Sequence, residues 1–355
     1  MMQRIIYILF IVLITQQSCV DSIFFETDSG KQQLVLYGLF TQFNEKHVFS
    51  ISRTSDFGKQ ETPVSGALVI IADDLGNSAD YEEIEPGKYV LAANKIQGIP
   101  GRSYHIEINF ADGRSFFSTP QVMPEPIEAE DIYFEIESRQ ILSSVDILID
   151  NTFINIFIDT PLQYSTGESA PLRWKVEEVY SFVDLSCGPG EPVEICYFND
   201  AIRTSDVLLF NNKEGSQEYL RGFKVRSRLL VPFSEFGARH YFIVHQYTMS
   251  IESFEYWEKI KIVANQSGSL FDVQPAKVGG NIVEVDNENA QLLGYFEVSS
   301  QDILRTFITP LEINPFQRIF ICKDLTYARN HQPECCKCKL RRGNHIERPT
   351  YWDED

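Results

Sequence analysis

Apolar and polar positions alternate along most of the chain in short runs. Leu34 to Thr41, Val48 to Arg53, Ala67 to Ala72, Tyr89 to Ala93, Tyr104 to Phe110 and Ser115 to Ser118 are rich in Val, Ile, Phe and Tyr. Those residue types fit a pleated, half-buried surface. Turn-forming clusters separate the runs: Asp73-Asp74-Leu75-Gly76-Asn77, Glu85-Pro86-Gly87-Lys88, Pro100-Gly101 and Asp112-Gly113. Ala111-Asp112-Gly113-Arg114 is the sharpest hairpin signal among them. Short strands at regular spacing predict an antiparallel β-sandwich over residues 33–120. Three prolines between Pro120 and Pro126 then break the pattern, because proline cannot donate to a strand ladder. Residues 121–131 read as a proline-rich, acidic linker.

Residues 132–355 read as a larger β-rich domain with one helix. The predicted strands are Ile141 to Ile149, Phe153 to Asp159, Leu172 to Phe182, Ile195 to Phe198, Val207 to Phe210, Leu220 to Leu230 and Tyr241 to Met249. Ile282 to Val285, Leu292 to Val298, Leu304 to Ile308 and Arg318 to Ile321 follow. Phe153, Ile154, Ile156, Phe157 and Ile158 are nearly continuous, as in a central strand covered on both faces. From Ser250 to Gln266 the period changes. Ile251, Phe254 and Trp257 follow a helical spacing, with Ser250 or Ser253 placed to cap it. Phe254 and Trp257 read as core packing in preference to a ligand cage. The acidic run Glu125, Glu128, Glu130, Asp131, Glu135 and Glu137 offers oxygen ligands for calcium. Its spacing matches no calcium loop, so a solvated strand edge is expected.

Composition sets the address. Ile5 to Ile14 are ten apolar residues behind Arg4, too short to span a bilayer and the length of a signal-peptide core. Thr15-Gln16-Gln17-Ser18 leads to Cys19. A small residue before a cysteine looks like a bacterial lipoprotein signal. Residues 1–18 are therefore expected to be removed, Cys19 acylated, and residues 19–32 left as a tether. No apolar run suggests a transmembrane helix. The formal net charge of −19 repels phosphate backbones and argues against nucleic acid as a partner.

Cysteine use fits export. Seven cysteines less Cys19 leave six, an even number suited to an oxidising compartment. Cys187 and Cys196 bracket the turn-rich Gly-Pro-Gly-Glu-Pro segment and are expected to pair. Cys322, Cys335, Cys336 and Cys338 cluster near the C-terminus. A thiolate zinc site with His331 or His345 is the alternative there, but the cysteines are more crowded than the usual zinc spacing. Adjacent Cys335 and Cys336 are poor partners for each other, so Cys322 is expected to bridge one of the last three. No metal or cofactor is expected.

Catalytic patterns are sparse. His240 and His245 lie five positions apart and point to opposite faces of a strand, which makes no metal pair. No G-x-S-x-G elbow, H-E-x-x-H, P-loop or dinucleotide-binding glycine pattern occurs. The carboxylates are numerous but unplaced, so an enzyme of carbohydrates or peptides is only a third reading. The basic C-terminal residues stand out in an acidic chain, and Arg341, Arg342 and Trp352 are candidates for a partner contact.

Several ordered segments carry a family resemblance: Leu34-Val35-Leu36-Tyr37-Gly38, Ile51-Ser52-Arg53-Thr54-Ser55-Asp56-Phe57 and Pro63-Val64-Ser65-Gly66-Ala67-Leu68-Val69. Pro86-Gly87-Lys88-Tyr89 and Pro100-Gly101-Arg102-Ser103-Tyr104 follow. Later come Ser269-Leu270-Phe271-Asp272, Gly279-Gly280-Asn281-Ile282, Leu293-Gly294-Tyr295-Phe296 and the closing Cys335-Cys336-Lys337-Cys338 segment. Together they resemble the Bacteroidota lipoproteins of domain-of-unknown-function family 4249. The first module also resembles transthyretin-like and carboxypeptidase-regulatory-like sandwiches. The family resemblance implies an outer-membrane lipoprotein that assists a TonB-dependent receptor, and the sparse catalytic patterns make the expected role non-enzymatic; a surface structural or adhesive lipoprotein is the alternative. In that setting Asp21-Ser22-Ile23 looks like an O-glycosylation acceptor at Ser22.

Overall fold

The computed structural model describes residues 32–55, 61–143, 146–184, 193–201, 207–212, 217–230, 234–265, 278–287, 292–313 and 336–353. Over these residues the chain is mainly β. The strands are β1 (Leu34–Phe40), β2 (His47–Arg53), β3 (Thr62–Pro63), β4 (Ala67–Asp73), β5 (Ser78–Glu85), β6 (Lys88–Leu91), β7 (Ser103–Phe110), β8 (Ser115–Ser118) and β9 (Gln121–Val122). The second series is β10 (Asp131–Leu142), β11 (Leu148–Pro161), β12 (Leu172–Val183), β13 (Ile195–Ala201), β14 (Leu208–Phe210), β15 (Tyr219–Leu229) and β16 (His240–Thr248). Helix α1 (Ile251–Ala264) comes next, then β17 (Ile282–Glu284), β18 (Leu292–Val298), β19 (Ser300–Ile308), the one-turn α2 (Pro310–Ile313) and β20 (His345–Ile346). No described helix is long and apolar enough to cross a membrane.

The first module is a continuous path, β17-β8-β7-β4-β5-β6-β2-β1-β18, with β3 added to β2 and β9 to β7. Alternation decides which side chains go inward. Leu34, Leu36 and Phe40 of β1 meet Phe49, Ile51, Val69, Ile71, Tyr104 and Ile106 in one buried cluster. β5 escapes a composition-based reading because its outward positions Ser78, Asp80 and Glu82 are polar, while Ala79 and Tyr81 enter the core. The pairing also carries β17 and β18 back from the second series to complete this module. β18 lies parallel to β1, from Leu34 opposite Leu292 to Phe40 opposite Val298.

Gly294 permits that parallel contact. Its φ is +101°, and a Cβ there would meet the Leu36 carbonyl oxygen at 2.0 Å. Both features exclude a side chain. Gly294→Ala is expected to cost about 2–3 kcal/mol through backbone strain and a forced opening of the pair. Equilibrium urea unfolding checks this, and an unchanged midpoint would contradict it.

The second module has a three-stranded sheet, β10-β11-β15, and a sheet ordered β19-β16-β12-β13-β20 with β14 paired to β12. Ile154, Ile156 and Ile158 of β11 share a core with Leu172 and Trp174 of β12 and Phe242 and Val244 of β16. The expected single strand across Ile141 to Ile149 is interrupted by a turn: Ile141 and Leu142 end β10, and Leu148 and Ile149 open β11. Ser143 N–H donates to the Ile147 carbonyl at 2.8 Å and Asp146 N–H to the Ser143 carbonyl at 3.1 Å. Asp146 takes a φ of 58° to close it.

Helix α1 starts as its capping signal predicts: Ser250 Oγ accepts from Ser253 N–H at 3.1 Å. Phe254 and Tyr256 are buried beneath it. The second helix, α2, adds to the one expected. Glu312 caps its N-terminus by accepting from both the N–H and the hydroxyl of Thr309 at 2.7 Å. The Arg318 to Ile321 strand expectation lies outside the described residues.

The C-terminal segment is stapled across β13. Cys196 is disulfide-bonded to Cys338, which corrects the expected Cys187–Cys196 pair. Cys338 enters a small apolar cluster with Tyr180, Phe182 and Phe198, and β13 places Cys196 in the same cluster. The Cys338 N–H donates to Asp184 at 2.5 Å. Cys336 is also disulfide-bonded, to a partner outside the described residues. Farther on, β20 pairs with β13, setting Ile346 opposite Tyr197 and His345 opposite Phe198.

Candidate functional site

β12 carries charge and bulk in alternation. Trp174 and Val176 enter the core described above, while Arg173, Lys175 and Glu177 project from the other face. Cross-strand pairing sets Arg173 beside Tyr247 and Lys175 beside His245, then Tyr247 beside Gln301. The outward positions of β1 follow the same logic. Tyr37 and Leu39 leave the first core and face this row. A cleft of about 500 Å³ lies between the modules, walled by Tyr37, Leu39 and Thr41 on one side, by Arg173, His245 and Tyr247 on the other, and by Trp257 of α1. That volume falls in the usual range for small-molecule sites, about 300–1,000 Å³.

A buried ion pair joins the two modules here. Arg173 Nη2 donates to both Glu297 carboxylate oxygens, at 2.9 and 3.0 Å. Glu297 also accepts from Trp257 Nε1 at 2.8 Å and from Ser299 Oγ at 2.7 Å. The paired side chains are 8% and 0% exposed. The guanidinium carbon lies 4.3 Å from the Tyr247 ring centre and 4.5 Å from that of Trp257, a cation–π arrangement in a desolvated setting. Burial, the largest influence, would lower the Arg173 pKa, but the Glu297 charge and hydrogen bond together with the Tyr37 and Tyr247 phenols outweigh it, and the net shift is upward. Burial, then the same carboxylate, pushes the Tyr37 phenol far above its ordinary value. Tyr247 is raised by burial against the opposing Arg173 charge. Both phenols therefore stay protonated.

The groups left over in this cleft are hydrogen-bond donors. Thr41 Oγ1, Arg173 Nε and His245 Nε2 are buried without a hydrogen bond, a state that costs about 1–3 kcal/mol for each group. Gln301 Nε2 lies 2.6 Å from His245 Nδ1. With that amide donating, the neutral ring carries its proton on Nε2. His245 Nε2 lies 3.7 Å from Glu177, an electrostatic contact longer than a full hydrogen bond. Glu177 is itself engaged by Lys175 at 2.6 Å. Burial opposes ionisation of Glu177, but His245 and Lys175 outweigh it and hold its pKa low. Burial raises the pKa of Glu45, farther along the wall.

The opposite face of β12 holds a separate network. Glu178 accepts from Arg226 Nε and Nη2 at 3.0 and 2.9 Å and lies 3.2 Å from His240 Nε2 and from Arg228 Nε. The His240 ring is stacked between Tyr180 and Phe236. Burial pushes Glu178 upward, but the His240 bond and the His240, Arg228 and Arg226 charges bring it down to about 2. A carboxyl lowered on folding stabilises the protein above its unfolded value. That stability is lost as pH falls from about 4.5 towards 2. We expect the wild type to lose about 3 kcal/mol over that interval through this group, and Glu178→Gln to flatten that part of the profile. Urea midpoints at a series of pH values check it, and identical profiles would contradict it.

The residues singled out from sequence are scattered. Cys19, Ser22, Cys187, Cys322 and Cys335 lie outside the described residues. Trp352 is 8% exposed and packs on Val179, Tyr241 and Ile243. Its carbonyl accepts from Arg239 and from the Tyr241 hydroxyl, each at 3.1 Å. It closes the core and offers no ring to a partner, which corrects its reading as a partner contact. Arg341 lies over the Phe182 ring at 4.8 Å, while Arg342 is exposed. Trp352, Arg341 and Arg342 do not line the cleft. Of the aromatic stripe on α1, Phe254 is core and Trp257 belongs to the cleft. Arg173, Tyr37, Tyr247, His245 and Glu297 were missed because no local spacing joins them. The one local signal was Glu297, a lone charge on the otherwise apolar β18. Among the described residues no cluster of three His, Cys, Asp or Glu side chains could hold a metal ion.

No curated protein matches the chain. The model of a family described as a domain of unknown function, DUF4249, matches residues 20–305. That span covers most of the sequence and includes the cleft-forming strands of both modules, and the chain belongs to the DUF4249 family.

Proposed function

We propose that this protein is a non-enzymatic outer-membrane lipoprotein that holds a small, acceptor-rich ligand between its two modules and serves a TonB-dependent transporter. The observation that carries the ligand reading is the set of unused donors around one cleft. Thr41, Arg173 and His245 each have a buried polar atom without a hydrogen bond, and all three residues line the same space. A ligand bearing carbonyl, carboxylate or hydroxyl oxygens supplies the missing acceptors after a small adjustment of the walls. Two of the three carboxylates around the cleft, Glu297 and Glu177, favour binding over catalysis; the third, Glu45, is the one whose pKa burial raises. Glu297 is occupied by donors from three residues, and Glu177 is held ionised by its neighbours. Glu177 is therefore not poised as a general acid near neutral pH.

The membrane address rests on Arg4, the apolar Ile5 to Ile14 segment and Cys19. The Bacteroidota setting and the transporter partnership rest on the family resemblance. We read the first module as a sandwich of the transthyretin-like or carboxypeptidase-regulatory-like kind, because the two ends of its strand path contribute to one core.

Affinity purification of the tagged protein from native membranes in mild detergent tests the partnership. A TonB-dependent receptor is expected to copurify. Its absence would reject the transporter role and favour a structural or adhesive one.

A further inference from the structure

The buried part of the cleft and its mouth leave different groups unsatisfied. In the buried part they donate. Arg173 Nε has no hydrogen bond, and a guanidinium nitrogen can only donate. His245 Nε2 is also without one and carries the ring proton while the Gln301 amide donates to Nδ1. The Thr41 hydroxyl adds a third unused proton. A ligand hydroxyl placed among them brings a proton of its own that needs an acceptor. A carboxylate only accepts, takes several donors at once, and makes the stronger bond to a guanidinium.

At the mouth the unsatisfied group accepts. Glu45 lies between β1 and β2 and lines the same cleft. Among the described residues its carboxylate makes no hydrogen bond or ion pair. The side chain is accessible to solvent, yet the surrounding walls desolvate the carboxylate enough to raise its pKa; His245 lowers it and Glu177 raises it further. Glu45 therefore looks across the cleft to the second module. Charge narrows the ligand again. Arg173 is balanced by Glu297 and Lys175 by Glu177, while Lys46 at the mouth balances Glu45. With its imidazoles neutral, the cleft carries no net charge. A lone carboxylate would add an uncompensated charge near Glu45 and Glu177, whereas a molecule with a carboxylate at one end and a cation at the other would not.

We propose, resting on the ligand reading above, that the cleft takes a small zwitterion of the amino-acid or short-peptide class. Its carboxylate lies inward among Arg173, Thr41 and His245, and its ammonium lies outward against Glu45. The two ends are read by opposite chemistry, so the cleft also sets which way the molecule enters.

The test compares wild type with Glu45→Gln, each purified without denaturation from native membranes and then unfolded to release what it retains. Dansyl chloride marks primary amines, aniline coupled by carbodiimide marks carboxyls, and mass spectrometry reads both. The wild type is expected to release a compound that takes both labels. Acid hydrolysis multiplies the amine label of a short peptide and leaves that of a single amino acid unchanged, and either result supports the proposal. Glu45→Gln removes charge from an exposed, unpaired side chain, so its near-UV circular dichroism should match the wild type. It is expected to retain about fivefold less of the compound, as loss of one accessible ion pair implies. A released compound that takes the carboxyl label alone, or neither label, would overturn the proposal and leave the ligand reading standing. Equal retention by Glu45→Gln would overturn it as well. Release of nothing from the wild type would overturn the ligand reading and the proposal with it.

Discussion

Glu297→Gln is expected to destabilise the protein by about 3–5 kcal/mol, the usual cost of leaving a buried charge without its partner. Arg173 Nη2 donates to both Glu297 oxygens, and the carboxylate side chain is 0% exposed. An amide cannot balance the guanidinium charge, and its nitrogen cannot accept from Arg173, Trp257 or Ser299. Replacing both partners by apolar residues, Arg173→Met with Glu297→Leu, removes the orphaned charge and should restore most of the loss. The pair therefore contributes less to stability than to the fit between modules. Urea unfolding of Arg173→Met, of Glu297→Leu and of the double variant measures the coupling. A loss below about 1 kcal/mol in Glu297→Gln would show that solvent reaches the pair and that the junction is loose.

The second large effect is expected at the C-terminus. The Cys196–Cys338 bond closes a loop over a sequence separation of 142, and chain-entropy reasoning gives a bridge of that span up to about 5 kcal/mol. Cys196→Ser with Cys338→Ser should therefore lower stability by about 3–5 kcal/mol. Hydrogen exchange should rise in β13 and β20 first, because β20 contributes only His345 and Ile346 to the sheet. Trp352 should follow, since its burial against Tyr241 depends on the segment staying in place. Equal stability of the double variant and wild type would mean that Trp352 and the Cys336 bridge hold the segment unaided.

Local order was legible in the sequence wherever burial forced alternation. β1, β4, β7, β8, β12 and β18 could be read from their Val, Ile, Phe and Tyr positions, and α1 from its spacing and Ser250. β5 was hidden because three of its outward positions are Ser78, Asp80 and Glu82. The turn at Ser143 to Ile147 was hidden for the opposite reason. Its flanks are apolar without being buried, so Ile141 to Ile149 imitated a core strand. Long-range order was not legible. Nothing near Leu292 to Val298 says that this strand returns to pair in parallel with β1. Nothing near Arg173 says that its partner lies 124 positions away. The cleft exists because those two closures place the outward face of β1 against the outward face of β12. Cys196 was expected to pair with its near neighbour for the same reason: proximity in sequence was the only distance available.

The central claim is that the space between the modules holds a ligand, and mass spectrometry of what the protein retains tests it most directly. Wild type and a Tyr37→Phe, Thr41→Val double variant would be purified without denaturation from native membranes, then unfolded to release small molecules. Removing two hydroxyls at the cleft wall leaves the Arg173–Glu297 pair intact. The wild type should release a stoichiometric oxygen-rich compound, and the variant, equally folded, should release little of it. Equal release from both proteins, or none from the wild type, would contradict the claim.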